Sequence, residues 1–237
     1  MKIKNLFALT IVLPVLAACQ NSNHQVGKVM LKTDTDSISY AIGVNVAQSL
    51  KGLKLDDLNY KAFARAIQDA YKNDSSSVKM TNEDAIKYIQ KFLQNKAEME
   101  AKKNKEESEK FLEENKTKEG VIVDTSGIQY KIVKEGTGPM PKEDDVVKVH
   151  YTGTLIDGTK FDSSYDHNQP AQFKLNQVIK GWTIGLQKMK VGSKYIFYIP
   201  ADLAYGDHVR PGGPIGPNQA LIFEVELLDI VKDQPQK

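Results

Sequence analysis

The sequence contains one cysteine, Cys19, one tryptophan, Trp182, and four histidines. A single cysteine excludes an intramolecular disulfide, so the fold must stand on its packed core. Long apolar runs are missing: none reaches the roughly 18 residues that a membrane-spanning helix needs. An excess of one charge is missing as well. The formal charge of +2 comes from 32 basic and 30 acidic residues, and Lys2 and Lys4 are the only charges in the first 18 residues. Taking these two from 32 leaves 30 basic against 30 acidic residues, so nothing draws the chain as a whole to nucleic acid or anionic lipid. The sequence also lacks a glycine-rich phosphate loop, an HExxH pair and a GxSxG elbow. His24, His150, His167 and His208 are scattered without metal-ligand spacing. Hydrolysis, redox chemistry and metal catalysis have no support, and neither a metal nor a cofactor is expected.

What is present begins with an export signal. Lys2 and Lys4 form a positive start, Leu6 to Leu16 is mostly apolar, and small Ala17 and Ala18 lead to Cys19. Leu16-Ala17-Ala18-Cys19 resembles the bacterial lipobox, which implies cleavage before Cys19 and acylation of its sulfur. The expected organisation starts with a signal peptide over 1–18 and a polar tether over 19–33. A helical domain follows over 34–80, with apolar residues at helical steps (Ile38, Ile42, Val46; then Phe63, Ile67, Tyr71). Asp34 or Asp36 is the expected cap of the first helix, and 73–78 (NDSSSV) reads as a break. Thr81-Asn-Glu-Asp has the form of a capping box and opens a long connecting helix over 81–119. Between Asn95 and Glu119 this helix carries eight Glu and seven Lys, which reads as a solvated helix polar on all sides. If helical from 82 to 115 it extends about 50 Å.

From Gly120 to Lys237 the pattern changes to alternating strands and tight turns. Ile128–Val133, Val146–Thr152, Lys194–Pro200 and Ala220–Ile230 alternate, and Asp157-Gly158 marks a hairpin. One amphipathic segment, Val178 to Met189, interrupts them. The fold class is therefore α+β: an antiparallel sheet on a short helix, preceded by an all-α domain and the long helix. Tyr151, Phe161, Trp182, Tyr205 and Phe223 fall near tight turns, and Asp162 directly follows Phe161. From spacing alone these aromatics read as core.

The segments VHYTGTLIDGTKFDSS (149–164), VIKGWTIGLQKMKVGS (178–193), IPADLAYGD (199–207) and GPNQALIFEVELLDI (216–230) resemble, in order, the signature segments of FKBP-type peptidyl-prolyl cis/trans isomerases. The helical region, with DSISYAIGVNVAQSL, is similar to the macrophage infectivity potentiator-like envelope subgroup. The resemblance implies an isomerase acting on proline-containing polypeptides. It implies a homodimer formed by the N-terminal helices, and a lipid anchor facing the periplasm or cell surface. It places Trp182 at the floor of an apolar pocket and Tyr151, Phe161, Val178, Ile179, Ile215 and Phe223 around it. Tyr205 and Asp162 become its polar contacts, and the Ile179 N–H an anchor for a substrate carbonyl. Three departures stand out. Ala171 occupies the region of an expected wall aromatic. His167 stands for the basic partner of the acid, and the loop before Val178 is about two residues short. The rival reading is a holdase that binds apolar chains with little turnover.

Overall fold

The computed structural model describes residues 27–51, 53, 55, 58–72, 78–210 and 212–231. The expected signal, Cys19, the first part of the tether and the break at 73–77 lie outside the described residues. The chain divides into two compact units, one of Met1–Ala47 with Leu55–Lys79 and the other of Gln48–Lys54 with Met80–Lys237.

The first unit holds most of α1 (Asp34–Lys51) and all of α2 (Tyr60–Tyr71). The cap of α1 is Thr33, not Asp34 or Asp36. The Asp36 N–H donates to Thr33 Oγ1 at 3.1 Å, and Asp36 Oδ2 accepts from the Thr33 N–H at 2.9 Å. This reciprocal pair satisfies two otherwise orphaned donors, which is why the threonine wins. Asn59 caps α2, its Oδ1 accepting from the Ala62 N–H at 3.0 Å. Helix α1 buries none of its residues, and Ile38, Ile42 and Ile67 remain exposed.

The second unit holds α3 (Asn82–Asn115), a seven-stranded antiparallel sheet and the short helix α4 (Lys180–Leu186). Thr81 caps α3 by accepting from the Asp84 N–H at 3.1 Å, as its sequence context predicts. The strands are β1 (Val121–Val123), β2 (Gln129–Lys134), β3 (Val146–Leu155), β4 (Lys160–Ser163), β5 (Ala171–Lys174), β6 (Lys194–Ile199) and β7 (Leu221–Val231). Their order is β1-β2-β6-β7-β3-β4, with β5 also paired to β3. Strands β3, β6 and β7 bury every second residue, so Val147, Val149, Phe197, Ile199, Leu221 and Val225 form one apolar face. Helix α4 lies against it. A Cβ on Gly181 would stand 2.4 Å from Ile199 Cγ2, and one on Gly185 2.7 Å from Phe197 Cε1. Two glycines four residues apart thus let the helix backbone rest directly on β6.

Two strands are additional to those expected, and two expectations change. Strands β1 and β5 carry too few residues to show a period. Helix α4 is shorter than the amphipathic segment 178–189: Val178 and Ile179 are extended, and Met189 is buried in a turn after the helix. Helix α3 is not polar on all sides in the sense of being solvated all round. Asn104, Ser108 and Asn115 are buried, and Phe111 meets Tyr198 with ring centres 6.1 Å apart. The remaining faces carry exposed Lys–Glu pairs such as Lys103–Glu107 at 3.8 Å, which add little stability.

A tie of a different kind joins the β1–β2 turn to the end of α4. Lys188 Nζ lies 2.5 Å from Asp124 Oδ2, and the Ser126 hydroxyl donates to Asp124 Oδ1 at 2.7 Å. Lys188 first, and Ser126 after it, hold the Asp124 carboxyl down at about 2. A carboxylate with a lowered folded pKa contributes stability that is present above its unfolded value near 4. That stability is lost as pH falls through about 2. We expect Lys188→Met to cost about 1 kcal/mol at pH 6 and markedly less at pH 2. Urea unfolding of parent and variant at both pH values checks it, and an equal cost at the two would exclude the ion pair as the cause.

Candidate active site

The N-terminal end of α4 and the sheet enclose a cavity of about 320 Å³. Its floor is Trp182, which is 4% exposed. Three rings stand edge-on to the indole: Tyr151 at 5.1 Å, Phe223 at 5.3 Å and Phe173 at 5.4 Å. Each such pair is worth about 0.5–1.5 kcal/mol beyond its buried area. They offset the cost of burying the indole N–H, which has no acceptor among the described residues. Val178, Ile179 and Gln177 close one side, and Phe161, Asp162 and Tyr205 the mouth.

Two neighbours along a regular strand point to opposite faces, yet Phe161 and Asp162 both line this cavity. A β-bulge resolves the conflict. Gly153 of β3 pairs with Asp162 and Thr154 with Lys160, which leaves Phe161 as the extra residue. Bulges next to binding sites re-aim side chains in this way. Gly153 completes the arrangement, because a Cβ there would stand 2.6 Å from the Phe161 ring and 3.0 Å from that of Phe223.

Asp162 is the cavity's sole carboxylate among the described residues. Its Oδ2 accepts from the Tyr151 hydroxyl at 2.5 Å. Burial raises the Tyr151 pKa, and the hydrogen bond to Asp162 raises it further. Burial and then the charge of Asp162 raise that of Tyr205 as well. Both phenols therefore remain protonated donors at neutral pH. Ile179 precedes the first turn of α4, and its N–H makes no hydrogen bond among the described residues. The cavity thus offers an apolar box, one fixed negative charge and free donors. It has no nucleophile beside a base, and no group of residues placed to hold a metal is found among the described residues.

Of the residues singled out by sequence, the structure brings together Tyr151, Phe161, Asp162, Val178, Ile179, Trp182, Tyr205 and Phe223. Ile215 packs on the core from outside this lining. It faces a larger groove of about 520 Å³ between α3 and the loop 207–217. That groove lacks the aromatic box, so chemistry and not size selects the smaller cavity. No bond or ion pair joins His167 to Asp162 among the described residues; Tyr151 fills that role. Phe173 is the wall residue that sequence reasoning misses. It lies two residues beyond Ala171 on β5, and the alternation of a strand puts both on one face.

A sheet wrapped on a short helix, with an aromatic cavity at that helix's start, defines the class of the second unit. The family model described as FKBP-type peptidyl-prolyl cis-trans isomerase matches residues 138–228. A second, described as the domain amino terminal to FKBP-type peptidyl-prolyl isomerase, matches residues 35–132. The chain belongs to the FKBP family and is a peptidyl-prolyl cis-trans isomerase. It is 46% identical over 201 residues to the probable FKBP-type isomerase FkpA of Neisseria meningitidis serogroup B, covering 81% of this chain and 73% of that protein. It is 43% identical over 209 residues to the outer membrane protein MIP of Legionella longbeachae, covering 85% and 88%. The crystal structure of FkpA from Escherichia coli superposes with a TM-score of 0.66 at 34% identity, covering 85% of this chain and 98% of that one.

Proposed function

We propose that the cavity over Trp182 is the active site, and that it accelerates X–Pro rotation in polypeptides of the bacterial cell envelope. The observation that carries the reading is an aromatic box with a single charge at its mouth. Rotation about a peptide bond meets a barrier of about 18–20 kcal/mol, because the amide must give up its resonance. A planar amide is strongly polar, whereas the twisted one has lost charge separation and suits an apolar cavity better. The box therefore binds the transition state more tightly than either ground state, and each 1.36 kcal/mol of difference is worth about tenfold in rate. The Ile179 N–H anchors a substrate carbonyl. Asp162 and Tyr205 orient the twisting amide, and neither transfers a proton. The test is refolding of a denatured protein whose slow phase is limited by proline, with the chain from Gln20 onward as catalyst. Acceleration proportional to enzyme concentration is expected, and an unchanged slow phase would refute the assignment.

Two further parts of the reading concern placement. Acylation of Cys19 tethers the chain to a membrane, so Cys19→Ser is expected to move the protein to the soluble fraction; unchanged fractionation would reject the anchor. The first unit makes a homodimer. Ile38 and Ile42 are each 58% exposed and Ile67 46% in the single chain. A second copy of the same helices is the simplest cover for these faces. Light scattering of the soluble chain at micromolar concentration checks it, and a monomer mass rejects it. Residues 34–80 are the proposed dimerisation domain and 120–237 the proposed isomerase domain, with 81–119 between them.

A further inference from the structure

Helix α3 holds three buried polar side chains on a helix that is otherwise largely exposed, and two of them reach one place. Asn104 is 7% exposed and Ser108 4%. Asn104 Nδ2 donates to the Pro217 carbonyl at 2.9 Å. The Ser108 hydroxyl donates to the Asn218 carbonyl at 3.1 Å and accepts from the Ala220 N–H at 2.8 Å. Gly216 fits against the same spot, since a Cβ there would stand 2.8 Å from Asn104 Nδ2.

The segment so gripped is the base of the loop 207–217. Asn218 takes a left-handed conformation with φ 56°, and its N–H donates to the Gly206 carbonyl at 2.7 Å. The two ends of the loop are thereby joined. Gly206 directly follows Tyr205, which lines the cavity, and Ile215 of the loop packs on the core. Three hydrogen bonds from α3 thus fix the clasp from which Tyr205 emerges, about 110 residues further along the chain. Had α3 needed only to adhere to the sheet, apolar side chains at these positions would have served at lower desolvation cost.

Resting on the isomerase reading, we infer that Asn104 and Ser108 are positioning residues, which hold the clasp next to Tyr205 and so set Tyr205 at the cavity and tune affinity for the polypeptide around the proline. They touch no substrate and act through the clasp at Gly206 and Asn218. Trp182 at the floor of the cavity, and Asp162 with Tyr151, are held by other elements. Loosening the clasp displaces Tyr205, and therefore weakens peptide binding and lowers kcat/KM.

The experiment uses the full soluble chain with Ser108→Ala and Asn104→Ala. Trp182 is the single tryptophan and forms the cavity floor, so its fluorescence reports binding of an Ala-Leu-Pro-Phe peptide directly. Ser108→Ala loses two bonds and is expected to raise the peptide Kd about threefold to tenfold and to lower kcat/KM by at least as much. Asn104→Ala loses one bond and shifts the Kd in the same direction by less. Circular dichroism establishes that each variant is folded, and if Ser108→Ala does not fold, the Kd of Asn104→Ala alone decides. Folded variants with lowered melting temperature but unchanged Kd and kcat/KM would overturn the inference and leave the bonds a purely structural role. A parent chain that binds the peptide yet does not catalyse would reject the isomerase reading, while the Kd comparison would still decide the role of the clasp.

Discussion

Asp162→Asn lowers kcat/KM for X–Pro isomerisation about tenfold to a hundredfold and leaves the protein folded. Asparagine keeps the shape of the side chain and an acceptor for the Tyr151 hydroxyl, which now donates to Asp162 at 2.5 Å. It removes the one negative charge lining the cavity among the described residues. A hydrogen bond or close contact to a charged group is worth about 1.5–3 kcal/mol, and each 1.36 kcal/mol is tenfold in rate. Asp162 is exposed on a short strand, so the change costs the fold little. The same variant separates an isomerase from a holdase. Suppression of aggregation of an unfolded client is expected to survive, because the apolar walls are untouched. A kcat/KM within threefold of the parent would remove Asp162 from the mechanism.

A fragment beginning at Gly120 melts about 10 °C or more below one beginning at Glu98. Both contain the whole sheet and α4, but the shorter lacks the packed half of α3. Gln129 would lose the Asn115 amide at 2.9 Å and the Leu112 carbonyl at 2.8 Å. Ala220 would lose the Ser108 hydroxyl, and Tyr198 the ring of Phe111. Each buried group left without its partner costs about 1–3 kcal/mol where water does not replace it. In a domain of this size 1 kcal/mol moves the melting temperature by about 3–6 °C. Calorimetry of the two fragments decides it. Equal melting temperatures would mean that α3 merely leans on the sheet.

The sheet is legible in the sequence because its long strands are buried on one face only. Val147, Val149 and Tyr151 alternate with Lys148 and His150, and β7 repeats the pattern through Phe223, Val225 and Leu227, with Glu224 and Glu226 between them. The Asp157-Gly158 turn is legible because Gly158, at φ 87°, occupies a conformation that glycine adopts at little cost. What sequence does not show follows from the same physics. Strand β5 has four residues after Pro170, too few for a period, and so nothing marks Phe173 as a wall of the cavity. The shared direction of Phe161 and Asp162 depends on a bulge, which leaves no mark in the order of residue types. The buried face of α3 is built from Asn104, Ser108 and Asn115, and polar residues carry no hydropathy signal however deeply they are buried. Thr33 does not stand out as a cap because Asp34 and Asp36, close behind it, are equally good capping types.

The clasp between Asn218 and Gly206 has a consequence for how such a protein changes over evolutionary time. The ends of the loop 207–217 are tied to each other and to α3, and none of its described residues pairs in the sheet. The entropic cost of a longer loop rises only about 0.6 kcal/mol for each doubling of its length. Residues there other than Ile215, which packs on the core, and Gly216, which fits against Asn104, can be exchanged, added or removed while Trp182, Asp162 and the strands stay in register. The domain is in this sense a fixed frame with an interchangeable loop, which can diverge without the fold being renegotiated.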